Sequence, residues 1–285
     1  LDSRLAILKR HQPYHESDHV LSLAYSSLAG GTCLQDLDLL REDEALMNML
    51  GARRLPDPTT AGDFLRRFQE KDVMELQRLL NEKRAEIWKR QSAAFLARAV
   101  IDADGTVAGT TGEKKFGMDY SFHKKTWGYH PLLVSLANTR EPLFLINRPG
   151  NVPSHKDAAS VIDEAIALVS PVFKEVLLRG DTDFSLTVNF DRWSQQNVKF
   201  VFGYDAQPNL AQLANELDDK AWNPLVRPPK YEAQTTREKR PNVKEDLIEE
   251  KDWNNKVLVG EEVAEFDYKP TKCSRSYRMI VLRKK

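Results

Sequence analysis

Two short apolar runs in the sequence end in aspartates: Val100-Ile101-Asp102-Ala103-Asp104-Gly105-Thr106 and Val176-Leu177-Leu178-Arg179-Gly180-Asp181-Thr182-Asp183-Phe184. An acid just past a buried strand sits at the rim of a sheet, rigidly held and open to solvent, where a hard cation such as Mg²⁺ finds oxygen ligands. Asp102 and Asp104 alternate along one strand and so point to the same side, with Asp104 nearer the strand mouth. Aspartate before glycine also caps ordinary turns. One such segment is open to either reading; two of them, after two core strands, favour a carboxylate metal site among Asp102, Asp104 and Asp181.

The bounds around this site are broad. A chain of 285 residues can bury a large core without disulfide staples. Lys plus Arg and Asp plus Glu both total 42, so net charge argues neither for nor against a polyanionic partner, and any basic surface must be local. Cys33 and Cys273 stand far apart in no recognisable motif, which fits a reducing cytosol. No apolar run approaches the roughly 20 residues of a membrane span. The chain starts on Leu1-Asp2-Ser3 without a signal-like segment and stops on Arg283-Lys284-Lys285 just after a strand-like run, so a cut at either end is expected to be possible.

The elements that must position the acids change character near Ala97. Before it the pattern is helical: Asp18 to Leu28, Leu34 to Leu40, Glu42 to Leu50, Thr60 to Phe68 and a long charged stretch from Asp72 to Phe95. Pro56-Asp57-Pro58-Thr59-Thr60 breaks the run, with Thr59 or Thr60 as cap of the next helix. Residues 1–96 therefore read as an all-helical domain. Arg53, Arg54, Arg66 and Arg67 flank its turn, as in helical DNA readers, although a solvated face explains them more simply. From residue 97 to 204 the rhythm is strand, strand, strand, helix, strand, helix, strand. Arg98 to Asp104 comes first, then Tyr129 to Ala137 and Leu143 to Asn147 joined by a hairpin-length turn. A helix capped by Ser154 and striped with Val161, Ile162, Ala165, Ile166 and Val169 leads to Glu175 to Leu178, a helix over Leu186 to Gln196, and Val198 to Tyr204. That order is an α/β layered fold with a mixed sheet. Residues 205–285 read as a β-rich insertion with a long polar loop, with strands at Lys256 to Gly260, Val263 to Tyr268 and Ser276 to Leu282; Lys230, Arg237, Lys239 and Arg240 are interleaved with Glu232, Glu238 and Glu245.

Two families share parts of this pattern. Asp102-Ala103-Asp104-Gly105-Thr106 resembles the nucleophile motif of haloacid-dehalogenase-like phosphatases, in which Asp102 would be phosphorylated and Asp104 the acid/base. That fold runs through parallel strands, whereas a probable antiparallel pair follows Asp104. More of the chain resembles the DDE transposases of bacterial insertion sequences, whose catalytic core is ribonuclease-H-like. Four motifs carry the likeness in order: Ile101 to Thr106; Gly128-Tyr129-His130-Pro131-Leu132; Arg148-Pro149-Gly150-Asn151 with Ser154; and Leu178 to Phe184. The resemblance implies a mixed α/β, ribonuclease-H-like sheet with flanking helices and cut-and-paste transposition of double-stranded DNA at terminal inverted repeats into target DNA, by a homodimer in the bacterial cytosol. It implies two Mg²⁺ or Mn²⁺ ions held by three carboxylates. Asp104 and Asp181 match the first two, with Asp102 and Asp183 as neighbours; the related pattern more often has glycine at 183.

The family's third acid is a glutamate on a helix after the insertion, with an arginine four residues before it and a lysine seven after. Glu249, Glu250, Glu261, Glu262 and Glu265 lack that spacing. The chain is therefore expected to be truncated before that acid and inactive alone, and a catalytically dead DNA-binding remnant is the non-enzymatic alternative. Lys114, Lys115, Lys124 and Lys125 flank the loop beside Asp104, where phosphate contacts would be useful, and His130, Arg148 and Arg179 are further candidates for DNA contact. Trp127, Tyr129 and His130 could stack on a base, though core packing explains them more readily. His11, His15 and His19 have the spacing of a metal-binding helix face, but Pro13 interrupts it.

Overall fold

Asp57 punctuates the Leu55-Pro56-Asp57-Pro58 break and starts the helix behind it. Its carboxylate accepts from the Thr60 amide at 2.9 Å, with Pro58 in the first turn where a missing N–H costs nothing. The cap is thus Asp57 rather than Thr59 or Thr60. The computed structural model describes residues 1–11, 13–111, 115–227 and 260–284. Its helices are α1 (Glu16–Leu28), α2 (Leu37–Glu42), α3 (Glu44–Met49), α4 (Pro58–Leu65) and α5 (Glu70–Trp88) before the first strand. Leu37, Leu40, Leu55 and Ala61 form a small core among the first four, with Leu23, Leu34, Leu46 and Met47 packed on it.

The strands that follow are β1 (Arg98–Gly105), β2 (Ala108–Gly109), β3 (Asp119–Ser121), β4 (Thr126–Tyr129), β5 (Leu132–Leu136) and β6 (Glu141–Ile146). Then come α6 (Ala158–Val169), β7 (Glu175–Gly180), α7 (Phe190–Gln195), β8 (Val198–Phe202), α8 (Pro208–Asn215), β9 (Asn223–Pro224), β10 (Glu261–Tyr268) and β11 (Tyr277–Lys284). The main sheet has the order β6-β5-β1-β7-β8. β1 runs antiparallel to β5, and β5 to β6, whereas β7 and β8 run parallel to β1. Three antiparallel strands followed by two parallel ones is the ribonuclease-H-like order, and the antiparallel β5 rules out the phosphatase arrangement.

Burial follows the strand period. Ala99, Ile101 and Ala103 of β1 are buried, while Asp102 and Asp104 take the alternate positions. The stripe of α6 is buried as its spacing requires and packs on β1, β5 and β6. Ser154 does not cap that helix; Asp157 does, in a left-handed conformation with φ 57°. The run from Tyr129 to Ala137 is two strands, because Thr126–Tyr129 leaves to pair with β2 and β3 in a separate small sheet.

The edge strand β6 is closed by α5. Gln77 Nε2 donates to the Leu145 carbonyl at 3.3 Å and Gln77 Oε1 accepts from its amide at 2.6 Å. Asn81 donates to the Leu143 carbonyl at 2.8 Å. Side-chain amides thereby take the hydrogen bonds that another strand would otherwise find on an open edge.

By contacts the chain divides into two units, Leu1–Leu186 with Ser194–Gly203, and Thr187–Trp193 with Tyr204–Lys285. In the second, β11, β10 and β9 form an antiparallel sheet with salt bridges between Arg278 and Glu265, Arg283 and Glu262, and Arg227 and Glu261. The helix α8 lies in the stretch read as a polar loop. The strand expected at Lys256 to Gly260 falls mostly on residues outside those described, as do Lys230, Arg237, Lys239, Arg240 and the glutamates interleaved with them. Among the described residues no helix is long and apolar enough to cross a membrane.

Asn81→Ala should destabilise the protein by about 1–3 kcal/mol, since it orphans the buried Leu143 carbonyl. The exposed Leu80→Ala should cost much less, and urea midpoints compare the two. In the second unit the Tyr277 hydroxyl and the Ser274 amide donate to Asp191, holding its carboxyl down at about 2 from an ordinary 3.8. A lowered carboxyl stabilises the fold above its unfolded pKa, and that contribution fades as pH falls from about 4 to about 2. An acid titration followed by fluorescence should show this loss in the native protein and a flatter profile over the same window in Asp191→Asn.

Candidate active site

The parallel register of β1 on β7 sets Arg98 beside Glu175 and Asp102 beside Arg179. The Asp102 carboxylate accepts both Arg179 Nε and Nη2 at 2.7 Å, a bidentate pair that raises the Arg179 pKa. The paired register ends there: Asp104 follows Asp102 by two residues on β1, and Asp181 follows Arg179 by two, just past the end of β7. Neighbouring strands lie roughly 5 Å apart, and the two acids lie at the ends of adjacent strands of the sheet. Both are exposed. Asp102 is therefore engaged by Arg179, and Asp104 is the uncommitted acid of β1.

The turn behind Asp181 is built to aim it. Asp181 opens the short helix Thr182–Phe184, and one carboxylate oxygen accepts from the Asp183 amide at 3.0 Å. Phe184 is fully buried and anchors the turn. Gly180 is needed for this fit, because a Cβ there would stand 2.9 Å from the Cβ of Phe184. Asp183 contributes its backbone amide, while its side chain is exposed.

On the β1 side, a Cβ on Gly105 would lie 2.9 Å from His130 Nε2 and 3.0 Å from Ser154 Oγ. The second and third sequence motifs thus close on the residue after Asp104. His130 Nδ1 lies 2.6 Å from the Val152 carbonyl, to which it must donate, and Nε2 faces Gly105.

Arg148 is placed differently from expectation. It is only 7% exposed and donates to the carbonyls of His130 at 3.0 Å, Ser154 at 3.0 Å and Lys156 at 2.9 Å. Burial pushes its pKa down. It ties the loop after β6 to the strand before β5 and is closed to a DNA phosphate. Arg179 is likewise held by Asp102. Lys124 and Lys125 lie exposed on the β3–β4 turn, with Lys125 at φ 51°, and Lys115 is exposed nearby; Lys114 lies outside the described residues. Trp127, expected in the core, is 48% exposed on the same hairpin against Tyr120, and Phe122 is exposed beside them. Hydrophobicity suggested burial, but a strand of so small a sheet has no second layer to cover both faces.

The histidine series does not assemble a metal site. His19 is buried and stacked on Phe64 at 4.3 Å, whereas His15 caps α1 and His11 is exposed. Among the described residues no group of three His, Cys, Asp or Glu side chains stands together as a metal cluster. An Arg–Glu–Lys spacing of four and seven does occur before the core, as Arg78, Glu82 and Lys89. Its arginine pairs with Glu164 at 2.8 Å and its glutamate with Arg4 at 2.7 Å.

A family described as Transposase DDE domain group 1 matches residues 5–281. No curated protein sequence matches the chain. Among solved structures, the piggyBac transposase synaptic complex with hairpin DNA is 10% identical over 99% of this chain and 56% of that one, with a TM-score of 0.39. The Mos1 mariner paired-end complex with Mn is 12% identical over 73% of each chain, with a TM-score of 0.26. The chain thus spans little more than half the length of the piggyBac protein.

Arg148→Lys should fail to rescue the loop, because an ammonium cannot reproduce the planar fork that reaches separate carbonyls. Its loss of about 2–3 kcal/mol, the scale of charged hydrogen bonds, should match that of Arg148→Ala in urea unfolding.

Proposed function

The chain belongs to the Transposase DDE domain group 1 family, and from that premise we propose that it cuts and joins DNA strands at the ends of a mobile element. The observation that supports the proposal is the parallel pairing of β1 with β7, the two strands that lead to Asp104 and Asp181. In this reading residues 97–204 are the catalytic core, 1–96 help hold DNA, and 205–285 form an insertion. The substrates are double-stranded DNA with terminal inverted repeats and a target duplex, handled by a homodimer in the cytosol.

A divalent metal is the cofactor this chemistry requires. Two exposed carboxylates at the rim of the sheet, neither paired with a cation among the described residues, have the hard oxygen donors that Mg²⁺ or Mn²⁺ takes. Asp104 and Asp181 would hold it. When bound, a pair of such ions supplies Lewis-acid activation of the attacking oxygen and charge stabilisation for the leaving one. The protein's own part is positioning. Arg179 neutralises Asp102 and so keeps a second negative charge on β1 from competing for the ion, while the Asp183 amide fixes one oxygen of Asp181. The hairpin with Lys124, Lys125 and Trp127 is suited to hold the DNA backbone and an exposed base beside the acids.

The third carboxylate of the family pattern has no match after β8, so the chain on its own should bind metal without cutting. In a protein that carries it, Mg²⁺-dependent nicking at inverted-repeat ends should drop to background in Asp104→Ala and in Asp181→Ala. Retention of nicking in either variant overturns the assignment.

A further inference from the structure

Away from the acids, the N-terminal helical region encloses a cavity of about 740 Å³ between the leading segment, the start of α1 and the end of α4. Its floor is formed by Pro13 and the largely buried rings of Tyr14 and His19, and its rim carries the exposed Lys9, Arg10 and Arg67. The rim is held in place rather than draped. Leu5 is buried, Arg4 bridges Glu75 and Glu82 of α5 at 2.6 and 2.7 Å, and the buried Glu16 accepts from the amides of Ile7 and Leu8 at 3.0 and 2.9 Å.

None of the three rim cations has an acidic partner among the described residues, although the chain as a whole balances its charges and pairs many of them. Arg54 lies over the Tyr14 ring at 5.6 Å, outside the cavity lining. The floor is rigid as well: the Tyr14 hydroxyl donates to the Leu55 carbonyl at 2.9 Å, and His19 lies flat on Phe64. Burial lowers the His19 pKa, and among the described residues its Nδ1 is buried without a partner. A buried polar atom of that kind is rare unless something else completes it.

Bare phosphate would use the rim and ignore the floor; an uncharged apolar molecule would do the reverse. A flat heterocycle bearing negative charge uses both. We propose that this cavity is a nucleotide site, taking one base over Pro13, Tyr14 and His19 with its phosphates on Lys9, Arg10 and Arg67. The same chemistry is offered by an unstacked nucleotide of a DNA strand and by a free mononucleotide. The choice of a DNA strand as the source rests on the transposase reading above.

The test compares binding of fluorescein-labelled dT8 with that of an abasic octamer of equal charge. The dT8 should bind at least tenfold more tightly. The triple variant Lys9→Ala, Arg10→Ala, Arg67→Ala, all at exposed positions, should weaken dT8 about tenfold and reduce the salt slope by about two, at roughly 0.7 per phosphate contact. Displacement by other oligonucleotides but not by millimolar dAMP identifies a DNA strand as the source, and displacement by dAMP identifies a free nucleotide; either supports the site. Equal binding of the two octamers, or unchanged binding by the triple variant, overturns it. Nicking that depends on Asp104 and Asp181, measured separately in a protein that carries the third acid, reports on the transposase reading alone, so the two can fail independently.

Discussion

The parallel pairing of β1 with β7 is the constraint on which the candidate site depends. Neither strand carries a complete site. One leads to Asp104, the other to Asp181, and the register that sets Asp102 against Arg179 fixes the two strands from which the acids follow. A slip of one residue would turn one carboxylate to the opposite face of the sheet. The bidentate Asp102–Arg179 pair works against such a slip, because its geometry is satisfied in a single alignment, and a second pair at the far end, Arg98 with Glu175, marks the same alignment. These are exposed pairs and add little to overall stability. Their value is in specifying which residues face each other.

The same economy of means appears around the sheet. On one side α5 satisfies the edge of β6 with Gln77 and Asn81. Arg148 replaces a missing piece of regular structure after β6, gathering carbonyls that no strand or helix would otherwise satisfy. In each case a polar side chain takes over hydrogen bonds that the backbone pattern leaves open.

Much of this was legible in the sequence, and for identifiable reasons. The alternation of Ala99, Ile101 and Ala103 with Asp102 and Asp104, and the stripe on α6, are period signals that burial enforces directly. The order of strands could be read because each is apolar and bounded by turns. What could not be read depended on contacts distant in the chain. Arg148 looks like any loop arginine until the carbonyls around it are known. Trp127 looks like a core residue until its small sheet is seen to have no second layer. Ser154 looks like a helix cap, yet it lies against Gly105. The buried Glu16 and the cavity above His19 also gave no sequence signal, since a leading segment with a proline and scattered charges could as well have been an unstructured arm.

The pairing of Asp102 with Arg179 spans 77 residues of chain, and this has a consequence for how the molecule is made. β1 is synthesised before either of its neighbours, and its antiparallel partner β5 arrives first, so a hairpin-like half-sheet can form early. The acids cannot meet until β7 has emerged and α6 has crossed over, a non-local step of the kind that slows folding. An early half-sheet would expose the central edge of β1, with Ile101 and Val100 unpaired. Nascent chains are most vulnerable to sticking to one another in that interval, before the second acid is in place.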